Sequence, residues 1–316
     1  MSIEVKEWFR PAASGWGQIF SRSWTDANPE MDPKAVIIIA HGMAEHSGRY
    51  DHFARFLAEN GFAVYMNDHA GHGRSAQIKG HFADENGWEC VVKDLKALMG
   101  QAVAQHPRLP VFFMGHSMGS FLARSFITRY GQGLSGCILC GTRGYTPGIV
   151  PAGKAVAAAQ VKLLGPRSTG KKLNALATAG YNKRIENPVN SSAWLSRDDK
   201  VCKAFEADPL SNFPFTAAGY RDMLTGIGEI SSLEWARQVP KDLPVFLAAG
   251  DEDPVGNYGE GPRQVADWLQ AAGVRSVQLK LYPGMRHEIL NEIGKEEVYA
   301  DMLKWLAQYL EDAPQA

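Results

Sequence analysis

Five uninterrupted apolar runs of strand length constrain the fold of this chain more than any other feature. They lie at Val36–Ala40, Phe62–Met66, Val111–Met114, Cys137–Cys140 and Val245–Ala249. A run that is apolar at every position is typical of a strand buried on both faces, as in a parallel sheet covered by helices. Helical stretches or glycine-rich turns follow the first four runs. The pattern therefore predicts an α/β fold with a mostly parallel sheet flanked by helices.

Helical periodicity and stop signals place helices between these runs. We expect them at Tyr50–Glu59, Val91–Gln105, Phe121–Tyr130, Arg263–Ala271 and Val298–Leu310. Before the first apolar run, residues 5–9 and 18–24 are extended stretches separated by turn residues, which predicts a hairpin. Residues 277–281 alternate between apolar and polar side chains, which indicates an edge strand.

Residues 142–242 interrupt this alternation of strands and helices. The segment is about a hundred residues long and shows helices and loops but no convincing buried strand. Structureless loops of that length are uncommon in compact domains, and ligands bind outside the carboxyl ends of the strands in open α/β sheets. We therefore predict a core of residues 1–141 and 243–316, with residues 142–242 inserted as a helical cap.

Residues 151–164 of the predicted cap have an amphipathic pattern. Four apolar residues recur at helical spacing, namely Ala152, Val156, Ala159 and Leu163. Lys154 and Lys162 lie elsewhere on the same helix. Such a helix could dock on lipid aggregates or simply cover the core, and the sequence leaves both alternatives open.

The charge balance argues against nucleic acid as a partner. The 316 residues include 33 Lys and Arg against 34 Asp and Glu, which gives a formal net charge of −1. No run of basic residues forms the kind of patch that offsets nucleic-acid phosphates.

Cysteine usage and the N-terminus favour the cytoplasm. The four cysteines, at positions 90, 137, 140 and 202, are too scattered for a disulfide framework. Cys137 and Cys140 lie three apart on a predicted strand and so point to opposite faces, which disfavours a redox or metal pair. The N-terminus lacks the pattern of a signal peptide. The longest apolar run, Ala35–Ala40, is too short to span a bilayer. Peripheral contact with a membrane remains an alternative.

The pentapeptide G-H-S-M-G at residues 115–119 points to a serine nucleophile. It directly follows the predicted strand Val111–Met114 and leads into a predicted helix. A G-x-S-x-G turn between a strand and a helix is so sharp that the flanking positions must lack bulk, and it exposes the serine hydroxyl above the sheet. We therefore interpret Ser117 as the catalytic nucleophile.

A serine nucleophile needs a general base and an acid that orients the base. Given the chain order Ser, acid, His that is typical of such a turn, the base lies beyond Ser117, where His287 is the only histidine. The acid is expected in the stretch G-D-E-D-P that follows the last apolar run. Asp253 is preferred because a carboxylate deeper in the loop can reach the histidine loop. Asp251 and Glu252 remain alternatives.

Two backbone amides are expected to bind the oxyanion. One belongs to Met118, directly after the nucleophile, and the other lies in the loop after the third strand, which reads His41-Gly42-Met43. Gly42 lets the backbone approach the substrate closely, so the Met43 amide is the predicted second donor. His41 has no carboxylate within sequence reach and is interpreted as a structural histidine.

Three further motifs resemble those of one family. Residues 41–50 match the pattern H-G-x-x-E-H-x-x-R-Y, residues 68–75 resemble a D-x-x-G-H-G-x-S loop, and residues 250–253 resemble G-x-x-D. The chain thus resembles the α/β-hydrolases of the monoacylglycerol lipase and lysophospholipase group, which are also grouped with the serine aminopeptidases (S33, Hydrolase_4). The resemblance implies the α/β-hydrolase fold with an inserted helical cap, and it favours Asp253 over Asp251.

The same resemblance implies hydrolysis of single-chain acylglycerols, lysophospholipids or similar esters, without a metal or an organic cofactor. Glu45, Arg49 and Asp68 are interpreted as a charge network that braces the oxyanion loop. The predicted cap matches the group only loosely, with residues 196–197 and 208–210 as weak anchors.

The sequence therefore predicts a serine carboxylester hydrolase that works through an acyl-enzyme on a small-molecule ester. Ser117 attacks, His287 carries the proton and Asp253 orients His287. One alternative is an aminopeptidase, which would need cap carboxylates for a free α-amine. Five are available, namely Glu186, Asp198, Asp199, Glu206 and Asp208. The other alternative is a non-catalytic receptor on the same fold. The chain keeps every residue predicted for the triad and the oxyanion site, which argues against a receptor.

Overall fold

Eight strands form one sheet in the computed structural model, which describes residues 2–28, 31–145 and 147–310. In chain order the strands are β1 (Ile3–Pro11), β2 (Gln18–Asp26), β3 (Ala35–Ala40), β4 (Phe62–Asn67), β5 (Val111–His116), β6 (Gly136–Cys140), β7 (Val245–Gly250) and β8 (Val277–Tyr282). Across the sheet the order is β1-β2-β4-β3-β5-β6-β7-β8. The pairs β1–β2 and β2–β4 are antiparallel and the other five are parallel. The predicted mostly parallel sheet is confirmed.

The five apolar runs form the central strands β3 to β7, in which every residue is buried. The predicted hairpin is β1–β2, with Ile3 opposite Asp26 and Pro11 opposite Gln18. The alternating run is the edge strand β8, in which only Tyr282 is buried. The antiparallel pairing of β2 with β4 is not indicated by the sequence, because it depends on the tertiary arrangement of strands.

Ten α-helices lie in the described residues. They are α1 (Asp51–Glu59), α2 (Gly87–Gln105), α3 (Met118–Tyr130), α4 (Ile149–Leu164), α5 (Lys171–Thr178), α6 (Asp199–Ala207), α7 (Ala217–Ile230), α8 (Leu233–Arg237), α9 (Glu260–Ala271) and α10 (Lys295–Gln308). Helices α2, α3, α9 and α10 begin about one turn before their predicted starts. Three of them follow a residue in the left-handed conformation, Asn86, Gly259 or Gly294. Apolar periodicity does not reveal such a turn.

Two hydrophobic clusters cover the two faces of the sheet. Helices α2, α3 and α9 contribute to one cluster, and α1 and α10 contribute to the other. Cys137 belongs to the first cluster and Cys140 to the second, so the two thiols point to opposite faces as predicted. All four cysteines are free, and burial raises the pKa of both Cys137 and Cys140 above that of an ordinary thiol.

The described part of residues 142–242 contains helices α4 to α8 and no strand beyond one isolated bridge between Thr169 and Thr216. Helix α7 packs against α2, α3 and α4. Trp235 of α8 is buried in the first cluster and donates from its indole nitrogen to the Arg124 carbonyl at 2.9 Å. The end of the segment therefore contributes to the core of the sheet, and the boundary of the cap stays a prediction.

Helix α4 exposes the apolar stripe that its sequence pattern defines. Ala152, Val156, Ala159 and Leu163 are all exposed, whereas the buried positions are Val150 and Ala157. The interpretation that this stripe covers the core is therefore wrong. Small residues on the other side allow close packing, since a Cβ at Gly153 would lie 3.1 Å from a methyl group of Leu224 in α7.

No helix among the described residues is long and apolar enough to cross a membrane. The last six residues of the predicted core, 311–316, lie outside the described residues.

Candidate active site

The turn between β5 and α3 carries Ser117, which is half-buried. Its backbone has φ 53° and ψ −120°, a conformation that L-residues rarely adopt. A Cβ at Gly115 would collide with the Gly119 carbonyl oxygen, and one at Gly119 would collide with the Ala40 carbonyl oxygen. The two glycines are therefore required by close backbone approach, and the turn presents Ser117 at the carboxyl ends of β3 and β5.

Asp253 and His287 form a buried hydrogen-bonded pair. His287 Nδ1 lies 2.9 Å from Asp253 Oδ2, and both side chains are almost completely buried. The other Asp253 oxygen accepts from the Val255 amide at 2.8 Å. Of the three candidate acids, the structure thus brings Asp253 to the imidazole, in the orientation that a histidine base requires.

The two alternative acids point elsewhere. Asp251 accepts from the Gly284 amide at 2.6 Å, so its carboxylate holds the loop that leads to His287. Glu252 is exposed and bonds through its backbone amide to the Met285 carbonyl at 3.0 Å. Both residues lie on the same loop as Asp253, yet neither carboxylate contacts the imidazole.

Ser117 and His287 lie on either side of the β6 terminus. The Ser117 amide donates to the Cys140 carbonyl at 2.9 Å, and a Cβ at the next residue, Gly141, would lie 3.2 Å from His287 Cε1. The Ser117 hydroxyl makes no hydrogen bond to His287 among the described side chains. Such bonds are often long in a free enzyme and tighten when substrate binds.

The loop that carries Met43 lies against Ser117. A Cβ at Gly42 would lie 3.2 Å from Ser117 Cβ, and the Gly42 amide donates to Glu45 Oε1 at 2.5 Å. Met118 is the first residue of α3, where helix amides point outward and attract negative charge. The two amides predicted to bind the oxyanion therefore belong to segments that flank Ser117.

A buried charge network joins the oxyanion loop to the histidine loop. Arg49 Nη1 donates to Glu45 Oε2 at 2.6 Å, and the guanidinium binds both oxygens of Glu288 at 2.7 Å. The charges of Glu288 and Glu45 raise the pKa of Arg49 above its ordinary value although burial opposes this. The sequence analysis missed Glu288, whose only signal is its position directly after His287.

His116 belongs to the same network and was also missed. Its Nδ1 lies 3.0 Å from the Tyr50 hydroxyl, which donates to Glu45 at 2.7 Å, and its Nε2 lies 3.3 Å from the His287 carbonyl. Burial alone would lower the pKa of His116, but the hydrogen bond and charge of Glu45 outweigh burial and raise it. Burial would likewise raise the pKa of Glu45, which His116 and Arg49 instead hold well below its ordinary value.

Asp68 and His41 hold the loops around the site through hydrogen bonds to backbone amides. Asp68 accepts from the Ser47 amide at 2.9 Å and from the Arg74 amide at 2.8 Å. His41 Nε2 accepts from the His69 amide at 3.0 Å. Burial lowers the pKa of His41 to about 3, so the ring is neutral and has the structural environment that was predicted for it.

The two weak anchors of the predicted cap lie on the loops of the site. Asp208 Oδ2 lies 2.8 Å from Nε2 of His46 in the oxyanion loop. Arg197 binds Glu292 at 3.0 Å. Nearby, the His287 amide donates to the Trp194 carbonyl at 3.4 Å and the Glu288 amide to the Leu195 carbonyl at 2.7 Å. Segment 194–197 therefore helps to hold the loop that carries the candidate base.

The described residues contain no group of three or more His, Cys, Asp or Glu side chains that could hold a metal ion. Three of the cap carboxylates considered for an amine are engaged elsewhere. Asp198 caps α6 through the Lys200 amide at 2.9 Å, Asp208 binds His46, and Glu206 accepts from the Ser191 hydroxyl at 2.6 Å.

Comparisons with known proteins point the same way as this geometry. Residues 31–294 match the family Hydrolase_4, described as serine aminopeptidase, S33. The chain is 33% identical over 303 residues to a monoacylglycerol lipase of Mycolicibacterium smegmatis, covering 95% of this chain and 96% of that relative. It is 28% identical over 298 residues to the monoglyceride lipase of Homo sapiens, covering 92% and 87%. A solved structure of a thermostable carboxyl esterase from Bacillus coagulans in complex with glycerol matches with a TM-score of 0.91 and 31% identity, covering 97% of this chain and 99% of that one.

Proposed function

Because the chain belongs to the Hydrolase_4 family (serine aminopeptidase, S33) and is a carboxylester hydrolase of the monoacylglycerol lipase type, we propose that it cleaves single-chain acyl esters through an acyl-enzyme. Monoacylglycerols are the first proposed substrates, because the relative from Mycolicibacterium smegmatis carries that name. Lysophospholipids are a second proposed class, since they present the same single acyl ester on a different alcohol.

In the proposed acylation step, Ser117 Oγ forms a bond to the ester carbonyl carbon while its proton moves to His287 Nε2. Asp253 holds the proton on Nδ1 and stabilises the imidazolium that results. The carbonyl oxygen becomes an oxyanion and accepts hydrogen bonds from the Met43 and Met118 amides. When the tetrahedral intermediate collapses, the alcohol leaves with the proton of His287, and the acyl group stays on Ser117.

Deacylation reverses these roles with water. His287 takes a proton from the water molecule, whose oxygen attacks the acyl carbon, and the second oxyanion uses the same two amides. Collapse releases the fatty acid and returns the proton to Ser117. No step requires a metal or an organic cofactor.

The single observation that carries this proposal is the buried 2.9 Å contact between His287 and Asp253 beside the strained turn of Ser117. A buried carboxylate that fixes one nitrogen of a histidine leaves the other nitrogen available as a base. Among the described histidines, this pairing is distinguished by its place beside the turn of Ser117.

An ester is favoured over a peptide with a free α-amine. A buried ammonium group needs a paired carboxylate, and Asp198, Glu206 and Asp208 already have partners. The other two candidates, Glu186 and Asp199, are exposed. A non-catalytic receptor is disfavoured because it would not need the backbone strain at Ser117.

Two measurements test the proposed function. A fluorophosphonate should label Ser117 and no other residue, and undiminished labelling of Ser117→Ala would contradict the assignment of the nucleophile. In a series of monoacylglycerols, kcat/KM should rise with chain length, because each buried methylene contributes about 0.8 kcal/mol, or roughly fourfold. A flat profile with efficient cleavage of amino-acid anilides, abolished by N-acetylation, would instead favour the aminopeptidase.

We also propose that α4 and α5 contact lipid aggregates transiently and that residues 142–242 act as a cap over the acyl chain. Four large apolar side chains are exposed there: Val156 at 52%, Leu163 at 79%, Leu164 at 70% and Leu176 at 71%. Lys154 and Lys162 lie on the same helix and suit an anionic lipid surface. The cytoplasm stays the proposed compartment, because all four cysteines are free thiols.

Sedimentation with anionic phospholipid vesicles tests this lipid contact. Leu163→Asp should reduce the bound fraction, whereas Val103→Asp, at an exposed apolar position on α2, should not. Equal binding of both variants and the wild type would contradict a contact through α4.

A further inference from the structure

A small cavity of about 180 Å³ lies beside the acid loop and the histidine loop. We call it the arginine cavity, because its walls include the three side chains Arg184, Arg197 and Arg286. Tyr181, Ile185, Glu252, Tyr258 and Gly284 complete the walls. The cavity is therefore built jointly by the predicted cap and by two loops of the sheet. The proposed reaction uses none of these side chains.

The three guanidinium groups differ in how their charge is compensated. Arg197 binds Glu292 through Nε at 3.0 Å and the Ile293 carbonyl through Nη2 at 2.9 Å. Its Nη1 faces the cavity wall, where a Cβ at Gly284 would lie 3.3 Å away. Arg197 thus keeps one nitrogen available on the cavity side.

Arg184 and Arg286 form no ion pair with a carboxylate among the described residues. Arg286 Nη1 donates to two neutral acceptors, the Ala193 carbonyl at 2.7 Å and the Ser196 carbonyl at 2.9 Å. The Arg184 guanidinium carbon lies 3.5 Å from the centroid of the Tyr258 ring, a contact that attracts the cation without neutralising its charge. The guanidinium groups of Arg184 and Arg286 therefore border the cavity without a side-chain ion pair.

Three carboxylates lie close to the same walls. Glu292 binds Arg197 at 3.0 Å and also accepts from the Arg286 amide at 2.9 Å. Glu252 lines the cavity directly, and Asp251 binds the Gly284 amide at 2.6 Å. Neither Glu252 nor Asp251 makes an ion pair with the three arginines. An incoming anion would therefore find unoccupied guanidinium donors, while Glu252 would oppose its charge.

We propose that the arginine cavity binds a small phosphate-type oxyanion, either inorganic phosphate or a phosphomonoester group. The free guanidinium nitrogens can donate charge-assisted hydrogen bonds to the oxygens of such an anion, and the Tyr181 and Tyr258 hydroxyls can donate as well. The volume lies below the roughly 300 Å³ at which pockets for drug-sized ligands begin. A single compact anion fits this volume better than an acyl chain.

The arginine cavity adjoins the candidate catalytic pair. Arg286 and Glu252 directly precede His287 and Asp253 in the chain. Tyr181 packs on Trp194 with ring centroids 4.8 Å apart, and Trp194 packs on His287 at 5.1 Å. An anion bound to Arg286 therefore sits next to the residues that position His287, and its binding should change the thermal stability of this region.

Isothermal titration with inorganic phosphate at constant ionic strength tests the site. We expect saturable binding at one site, weakened about tenfold in Arg184→Gln, because one charged hydrogen bond is lost. Arg263→Gln, on the exposed face of α9, is the matched control and should leave the Kd within about twofold. Glu252→Gln should tighten binding about threefold, because it removes the opposing charge.

The source of the anion is resolved by a second arm, which rests on the proposed ester hydrolysis. If the cavity receives a substrate headgroup, phosphate should raise the KM of a lysophosphatidic acid and leave the KM of a monoacylglycerol unchanged. If the ligand is free phosphate, both KM values should respond alike or neither should respond.

The calorimetric arm does not depend on catalysis, so its failure is distinct from failure of the proposed function. Absence of saturable phosphate heat in the wild type would overturn the proposal. Equal affinity of the wild type, Arg184→Gln and Glu252→Gln would also overturn it, because the anion would then bind elsewhere.

Discussion

Replacing Asp253 by asparagine tests how the site holds its proposed general base, His287. In the native protein His287 Nδ1 lies 2.9 Å from Asp253 Oδ2, and Oδ1 accepts from the Val255 amide at 2.8 Å. If the asparagine oxygen keeps the Val255 bond, its NH₂ group faces Nδ1 and favours the tautomer whose proton sits on Nε2. That tautomer cannot accept the Ser117 proton.

The expected loss in kcat is about 10⁴-fold, which corresponds to about 5.4 kcal/mol of transition-state stabilisation. Stability should change little, because asparagine has the same shape and retains the Val255 bond. The assay is steady-state hydrolysis of p-nitrophenyl butyrate, with thermal unfolding measured on the same preparations.

Asp251→Asn is the matched control on the same loop. Its oxygen can still accept from the Gly284 amide, which Asp251 binds at 2.6 Å, so kcat should fall less than about tenfold. If Asp251→Asn lost activity and Asp253→Asn retained it, the roles assigned to the two carboxylates would be wrong.

Three further substitutions test other parts of the site. Ser117→Ala should abolish ester hydrolysis with an unchanged Tm; residual turnover at the wild-type rate would refute the nucleophile. Arg49→Met should lower the free energy of unfolding by about 3–5 kcal/mol, because Glu45 and Glu288 are left buried without a cation; a loss below about 1 kcal/mol in urea titrations would contradict this. Burial lowers the pKa of His72 to about 4. Below about pH 6.5 this side chain therefore binds a proton in the unfolded state but stays neutral in the folded state. The resulting contribution to the free energy of unfolding is complete well above pH 6.5 and should fall by about 1.6 kcal/mol between pH 6.5 and 5. His72→Gln should reduce the total fall by about this amount, while His41, whose pKa is also lowered by burial, keeps its own share; an unchanged pH dependence in urea titrations would count against this prediction.

Much of the sheet could be predicted because a strand buried on both faces is apolar at every residue. Each of the five apolar runs is a central strand, and the alternating run at 277–281 is an edge strand. Helix starts were predicted about one turn late, because a first turn such as the one after Asn86 carries no apolar periodicity. The sequence also did not show whether the apolar stripe of α4 is buried or exposed, since an alanine-rich helix has two faces that could pack.

The G-x-S-x-G turn at Ser117 and the single candidate base could be read from local sequence, because the turn requires glycine and His287 is the only histidine beyond Ser117. Which carboxylate reaches that histidine depends on the folded loops. Asp251 and Asp253 are two residues apart on one loop, and the fold of the loop directs one to the Gly284 amide and the other to His287. Likewise, the pairing of Arg49 with Glu288 joins residues 239 positions apart. No local pattern encodes such a contact, because it exists only once the sheet has brought the two loops together.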